Sequence, residues 1–172
     1  AYQEMARRAL RQAPPDKAAA EQWLERGVLA GDGECAYQLS RAKDDEAAVK
    51  WLRRGAELRN PNACFALYLR TSQSQGRARD TAEADRLLRC AAELGHAEAM
   101  YRVGRSLPPA EAVPWYERAI RLRHAEAINA HGELLLNGDG VPRNPVLAEE
   151  RFKMAADLGS NAAYVNMGRL ME

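Results

Sequence analysis

Apolar residues along this chain recur at steps of three and four, and the blocks that carry this rhythm repeat. Five of them align: QWLERGVLAG from Gln22, KWLRRGAELR from Lys50, RLLRCAAELG from Arg86, PWYERAIRLR from Pro114 and ERFKMAADLG from Glu150. The third residue of each block marks the register, at Leu24, Leu52, Leu88, Tyr116 and Phe152, with separations of 28, 36, 28 and 36 residues. Inside a block the small and apolar positions follow helical spacing, as in Leu52, Gly55, Ala56 and then Leu58. Paired small residues, Ala91 with Ala92 or Ala155 with Ala156, remove bulk from the middle of the helix and let a neighbouring backbone come close. Gly95 and Gly159, just past the last apolar position, suit the left-handed residue that closes a helix. This element is helix B.

A turn of two or three residues separates each block from a second short amphipathic segment: CAYQLS at Cys35, ACFALY at Ala63, AMYRVG at Ala99, AINAHG at Ala127 and AYVNMG at Ala163. This is helix A. Four residues after its first small position comes an apolar residue on the same face (Leu39, Leu67, Val103, Met167), except in the fourth repeat, where His131 stands. A-to-B connections come in two lengths, long in TSQSQGRARDT and LLNGDGVPRNP and short in RAKDDE and RSLPPAE, which accounts for the alternating period. Helix A is expected to be a turn or two shorter in the short repeats. Pro114 is read as lying in the first turn of its helix B, where a missing N–H costs little. The chain therefore reads as a single all-α repeat domain over 1–172, with B-then-A units near 17–43, 45–75, 81–107, 110–138 and 146–171.

Composition narrows the function more than the fold. Lys and Arg number 25 and Asp and Glu 24, a net charge of +1 that argues against a nucleic-acid partner. No run approaches the roughly 18 consecutive apolar residues that cross a bilayer. Cys35, Cys64 and Cys90 are an odd number without paired spacing, so they read as small buried hydrophobes rather than a disulfide framework. No phosphate loop, nucleophile elbow or isolated acidic pair is present, so the chain does not read as an enzyme and calls for no cofactor.

The fourth unit carries the residues that identify a family. Ala127, His131-Gly132 in place of a leucine-glycine pair, Leu135, then Gly138-Asp139-Gly140-Val141, Ala148, Phe152, Ala155-Ala156 and Gly159 together resemble the Sel-1-like repeat, a relative of the tetratricopeptide repeat. The resemblance covers about residues 17–171. It implies a right-handed α/α superhelical solenoid of antiparallel helix pairs, with A helices on the concave side and B helices on the convex side. It also implies an adaptor or scaffold, of a kind common in bacterial envelope, secretion and host-contact systems. That favours a periplasmic or secreted location without fixing one.

If helix A lines the inner wall, equivalent positions in successive repeats form a ladder. One set of rungs is Tyr37, Phe65, Tyr101, Asn129 and Val165; a second, four residues on, is Arg41, Leu69, Arg105, Glu133 and Arg169. Aromatics above arginines would hold an extended or helical peptide by stacking and by hydrogen bonds to carboxylates or carbonyls. The alternative is that the rings plug the seam between A helices. His96 and His124 occupy matching turn positions, and His131 reads as a core histidine bonded to a carbonyl, with no metal site among them. The last helix A ends at Glu172 without a helix B after it, so its apolar face is expected to meet a further segment, a partner or a second copy. The chain thus reads as a module that binds a protein or peptide in its groove, or as a structural segment of a larger envelope or secretion assembly that makes its contacts through its ends.

Overall fold

The computed structural model of the chain describes residues 1–12, 14–73 and 81–170, and among these residues lie eleven helices and no strand. Two compact units, 1–94 and 95–172, divide them. The first contains α1 (Tyr2–Leu10), α2 (Lys17–Leu29), α3 (Gly33–Arg41), α4 (Asp45–Glu57), α5 (Pro61–Gln73) and α6 (Thr81–Glu93). The second contains α7 (Ala97–Arg105), α8 (Pro109–Arg121), α9 (Ala125–Asn137), α10 (Pro145–Asp157) and α11 (Asn161–Arg169). Even-numbered helices are the B helices and odd-numbered ones the A helices. Within each unit every helix packs on the next, and successive A helices also touch, α3 on α5 and α9 on α11. This is the packing of an α/α solenoid, in which each helix pair shelters the apolar face of its neighbour.

The alternating period has a simple origin. Every B helix has 13 residues, whereas α3, α7 and α11 have 9 and α5 and α9 have 13. The connections 42–44 and 106–108 are correspondingly short and 138–144 is long; residues 74–80 of the other long connection lie outside the described residues. An eight-residue difference is thus shared between one extra turn of helix A and a longer loop behind it. Helix α1 lies outside the expected units: Tyr2, Ala6 and Ala9 pack on its core side at helical spacing, but no B block precedes it to mark its register.

The register residues are core. Leu24, Leu52, Leu88, Tyr116 and Phe152 are buried, and the leading small residues of helix A, Cys35, Ala63, Ala99, Ala127 and Ala163, are all 0 % exposed. Size is matched across each pair. Where helix B brings an aromatic ring, helix A opposes it with glycine: a Cβ on Gly104 would lie 2.5 Å from Tyr116 Cε1, and one on Gly132 would lie 2.6 Å from Phe152 Cε1. Where helix B brings Leu52 or Leu88, the same position holds Ser40 or Tyr68.

The B-to-A turns repeat one hydrogen-bond pattern. Gly31 N–H donates to Val28 O and Asp32 N–H to Gly27 O, and the same pair of bonds recurs at Arg59–Asn60, Arg123–His124 and Gly159–Ser160. That is the Schellman closure, which needs a left-handed residue at its centre. Gly31 and Gly159 take φ +87° and +92°, but Arg59 and Arg123 take φ +56° and +58° in the same role.

Pro114 departs from its expected place. Pro109 occupies the first position of α8 and Pro114 lies inside the helix, so the carbonyl of Ala110 loses its helical N–H partner. Pro109, Ala110 and Glu111 of the opening turn are exposed, where a carbonyl without a helical partner costs least. The turn at 138–141 packs on that same helix end: Gly140 has φ +72° and a Cβ there would run into the Ala110 backbone nitrogen.

Candidate partner-binding surface on the A helices

A residue of high capping propensity precedes most helices, and these caps set the rim of the A helices. Asp32 Oδ1 accepts from Glu34 N–H at 3.0 Å, and Asn60 Oδ1 accepts from Ala63 N–H at 2.8 Å. His96 and His124 do the same work with a ring: Nδ1 of each accepts a backbone N–H at 3.2 Å, from Ala99 and Ala127. Capping by Nδ1 leaves the proton of His124 on Nε2, which donates to Glu98 Oε2 at 2.9 Å. Burial holds the pKa of His96 below its ordinary value, in favour of the neutral ring that can cap.

A second regularity links three of the short A helices, α1, α3 and α7, to the next cap. The second residue of α1, Gln3, donates to Asp32 at 3.0 Å; the second residue of α3, Glu34, accepts from Asn60 Nδ2 at 3.0 Å; the second residue of α7, Glu98, accepts from His124. In α3 and α7 the signal is a glutamate one place before the leading small residue, Glu34 before Cys35 and Glu98 before Ala99. A single repeat cannot show that its partner is the next repeat's cap.

In unit 1 the rung Tyr37 is half-buried and packs on the cluster of Leu52, Ala63 and Leu67. Phe65 is also half-buried, its ring tilted on Tyr68 at 5.7 Å between centroids, and Leu69 lies half-buried one turn further on. Arg41 is exposed at the end of α3 and lines a cleft of about 680 Å³ formed with α1 and α2. Ala20 and Leu24 supply apolar lining there, while Arg7, Lys17 and Gln38 supply polar groups. Glu21, also on the cleft, is bonded to Lys43 at 2.5 Å.

In unit 2 the Tyr101 ring is held between Tyr116, at 6.2 Å, and His124, at 5.3 Å, with the Arg105 guanidinium 5.7 Å over its face. Burial raises the pKa of the Tyr116 hydroxyl. Asn129 is 6 % exposed and joins α9 to α11: Asn166 Nδ2 donates to Asn129 Oδ1 at 2.9 Å and to Glu133 Oε1 at 2.7 Å, and Asn129 Nδ2 donates to the same oxygen at 3.0 Å. Val165, 58 % exposed, and Arg169 face solvent on α11. His131 is buried as expected but not bonded to a carbonyl: its Nδ1 has no hydrogen-bond partner. Burial and the neighbouring Arg151 charge hold its pKa below the ordinary value. Among the described residues no three His, Cys, Asp or Glu side chains converge as a metal site would require, and no helix is long and apolar enough to cross a membrane.

Comparison with known families decides the relationship. A Sel1 repeat profile matches residues 5–32, 33–60, 61–96, 97–124 and 125–160. The chain belongs to the Sel1 repeat family. Sel1 repeats serve in general as non-catalytic protein–protein interaction modules. Each matched stretch runs from helix A through helix B, and the first takes in most of α1. Among solved structures, a Sel1 repeat protein from Oxalobacter formigenes is 23 % identical, with a TM-score of 0.78, covering 90 % of this chain and 49 % of the other. The antigen c5321 of uropathogenic Escherichia coli, which displays the Sel1-like fold, is 22 % identical with a TM-score of 0.76, covering 98 % of this chain and 40 % of the other. This chain thus spans about half the length of these two relatives or less. No curated protein matches its sequence at a significant level.

Proposed function

We propose that this Sel1 repeat chain is a scaffold without catalytic activity of its own, and that it holds a peptide of another protein on its A helices and, at the Arg41 cleft, the adjoining B helix α2. The observation that carries this reading is the cleft of about 680 Å³ at Arg41. Lys17 and Arg41 stand on it, exposed, and neither makes an ion pair among the described residues. An apolar lining beside unpaired cations suits a segment that sets a carboxylate next to an aliphatic or aromatic side chain, since a guanidinium recognises a carboxylate through two parallel hydrogen bonds. In unit 2, Tyr101 and Arg105 supply the same two elements, a ring immobilised by its neighbours and a guanidinium above it. A ring already fixed in place loses little conformational entropy when a partner packs on it. Asn129 then orients Glu133, while Val165 and Arg169 extend the exposed surface along α11.

The test is selection of random peptides displayed on phage against the chain, followed by binding of the selected peptides in solution. Enriched sequences should pair acidic with apolar residues. Arg41→Glu or Arg105→Glu should lower affinity about tenfold or more, some 1.4 kcal/mol, without moving the melting temperature. If Tyr37→Ala, Phe65→Ala and Tyr101→Ala each lower the melting temperature while peptide affinity stays as it was, the rings only fill the seam and the proposal fails.

A further inference from the structure

The sequence spacing gave no reason to pair cysteines, yet two of the three meet. Cys64, on α5, is 0 % exposed, and its Sγ lies 3.1 Å from Sγ of Cys90 on α6. A disulfide bond is about 2.05 Å long, so an approach of about one ångström separates contact from bond. The third thiol, Cys35, is buried on α3, against α2: a Cβ on Gly27 would run into its sulfur. Both members of the close pair are free thiols in this structure, and Cys90 is the one with solvent access.

We propose that Cys64 and Cys90 form a redox-responsive staple that joins the A and B helices of one repeat. The oxidant is a small-molecule disulfide of the glutathione class. Cys90, reachable from solvent, attacks one sulfur of the donor as its thiolate, forming a mixed disulfide and releasing one donor thiol. Cys64 then attacks Sγ of Cys90, its own proton passing to the second departing donor thiolate. The two protein thiols lose two protons and two electrons, and the donor disulfide gains them as two thiols. Burial and the adjacent Cys90 sulfur raise the pKa of Cys64. Burial keeps Cys64 from an oxidant in solution and the raised pKa makes its thiolate scarce, so its part in the second step rests on the 3.1 Å contact, which presents it to Cys90 at high effective concentration. The bond would close a loop between residues 26 apart, a constraint that acts mainly on the unfolded chain, so oxidation should stabilise the array.

The experiment incubates the reduced full chain with oxidised glutathione, reads intact mass and non-reducing peptide maps, and records thermal melts with and without dithiothreitol. The expected result is a loss of two hydrogens per chain, a Cys64–Cys90 cross-linked peptide with Cys35 still open to alkylation after unfolding, and a melting temperature several degrees above that of the reduced chain. Cys90→Ser should show neither the mass change nor the shift. Cys64→Ala should instead retain a glutathione adduct on Cys90, which reports that Cys64 is the resolving thiol even if the wild-type melt is too broad to compare. A lasting adduct on Cys90 in the wild-type chain, or two thiols that stay open to alkylation after incubation, overturns the proposal.

Discussion

The B-to-A turns offer a controlled exchange of residues within one backbone motif. Gly31, Arg59, Arg123 and Gly159 all sit at the centre of a Schellman closure with positive φ, two as glycine and two as arginine. A side chain in the left-handed region costs roughly 1–2 kcal/mol. Glycine avoids that cost but gives the unfolded chain more freedom, worth about 0.4–1 kcal/mol. The difference favours glycine by about 0.5–1 kcal/mol, which for a chain of this length corresponds to a shift of about 1–4 °C. No heavy atom lies within 4 Å of a Cβ built on Gly159, so Gly159→Ala tests the backbone alone. Arg59 and Arg123 are exposed, and their removal should disturb no packing. Differential scanning calorimetry should therefore show Gly159→Ala melting lower than the parent and Arg59→Gly and Arg123→Gly melting higher, each by that amount. A Gly159→Ala variant that melts at or above the parent, or an Arg123→Gly variant that melts below it, would refute the reasoning.

Three further predictions follow from the packing. Gly132→Ala should lower stability by about 1–3 kcal/mol through overpacking against Phe152, and Phe152→Leu in the same chain should recover part of it, read by chemical denaturation. Pro114→Ala should raise the melting temperature by several degrees, since it restores an N–H to Ala110 at an exposed site; an unchanged or lower value would mean that the proline is compensated elsewhere. His131→Leu should stabilise the fold by about 1–2 kcal/mol at neutral pH by removing a buried nitrogen without a partner. The same variant should flatten the pH dependence of stability. His96 and His131 both have pKa values lowered from 6.5 in the folded chain, so folding favours their neutral forms. Their contribution is complete above pH 6.5 and is lost as pH falls below it, where the unfolded chain takes up the protons first. Melts between pH 7.5 and 5 should show that loss in the parent and a smaller one in His131→Leu.

The helices were legible because their buried positions repeat with a fixed residue type at a fixed interval. Leu24 through Phe152 and Cys35 through Ala163 sit where the pattern put them. The alternation in length was legible too, since a shorter helix A and a shorter loop both leave the register intact. What escaped was whatever depends on a neighbour. Helix α1 has helical spacing at Tyr2, Met5, Ala6, Ala9 and Leu10 but no B block before it to mark its register, and the role of Gln3, Glu34 and Glu98 is defined only by the cap each reaches 26 or 29 residues away. Pro114 was placed by its distance from the B block, but the helix begins a turn earlier, at Pro109. For His131 the periodicity gives burial correctly, while the partner of a ring nitrogen depends on side chains that spacing does not place. Spacing makes the ladder residues equivalent rungs, yet burial separates them: Asn129 is enclosed, Arg41 and Arg105 are open, and the rings lie between.

The constant 13-residue B helix has a consequence for how such a chain can change. With that helix fixed and a three-residue turn always behind it, the spacing at the B-to-A edge of each unit works as a ruler, and all growth or trimming falls at the opposite edge. Additions there lengthen a helix and its loop together, as α9 and residues 138–144 already do. A foreign epitope grafted on that edge would be carried as cargo, while the same graft behind a B helix would push every later repeat out of step.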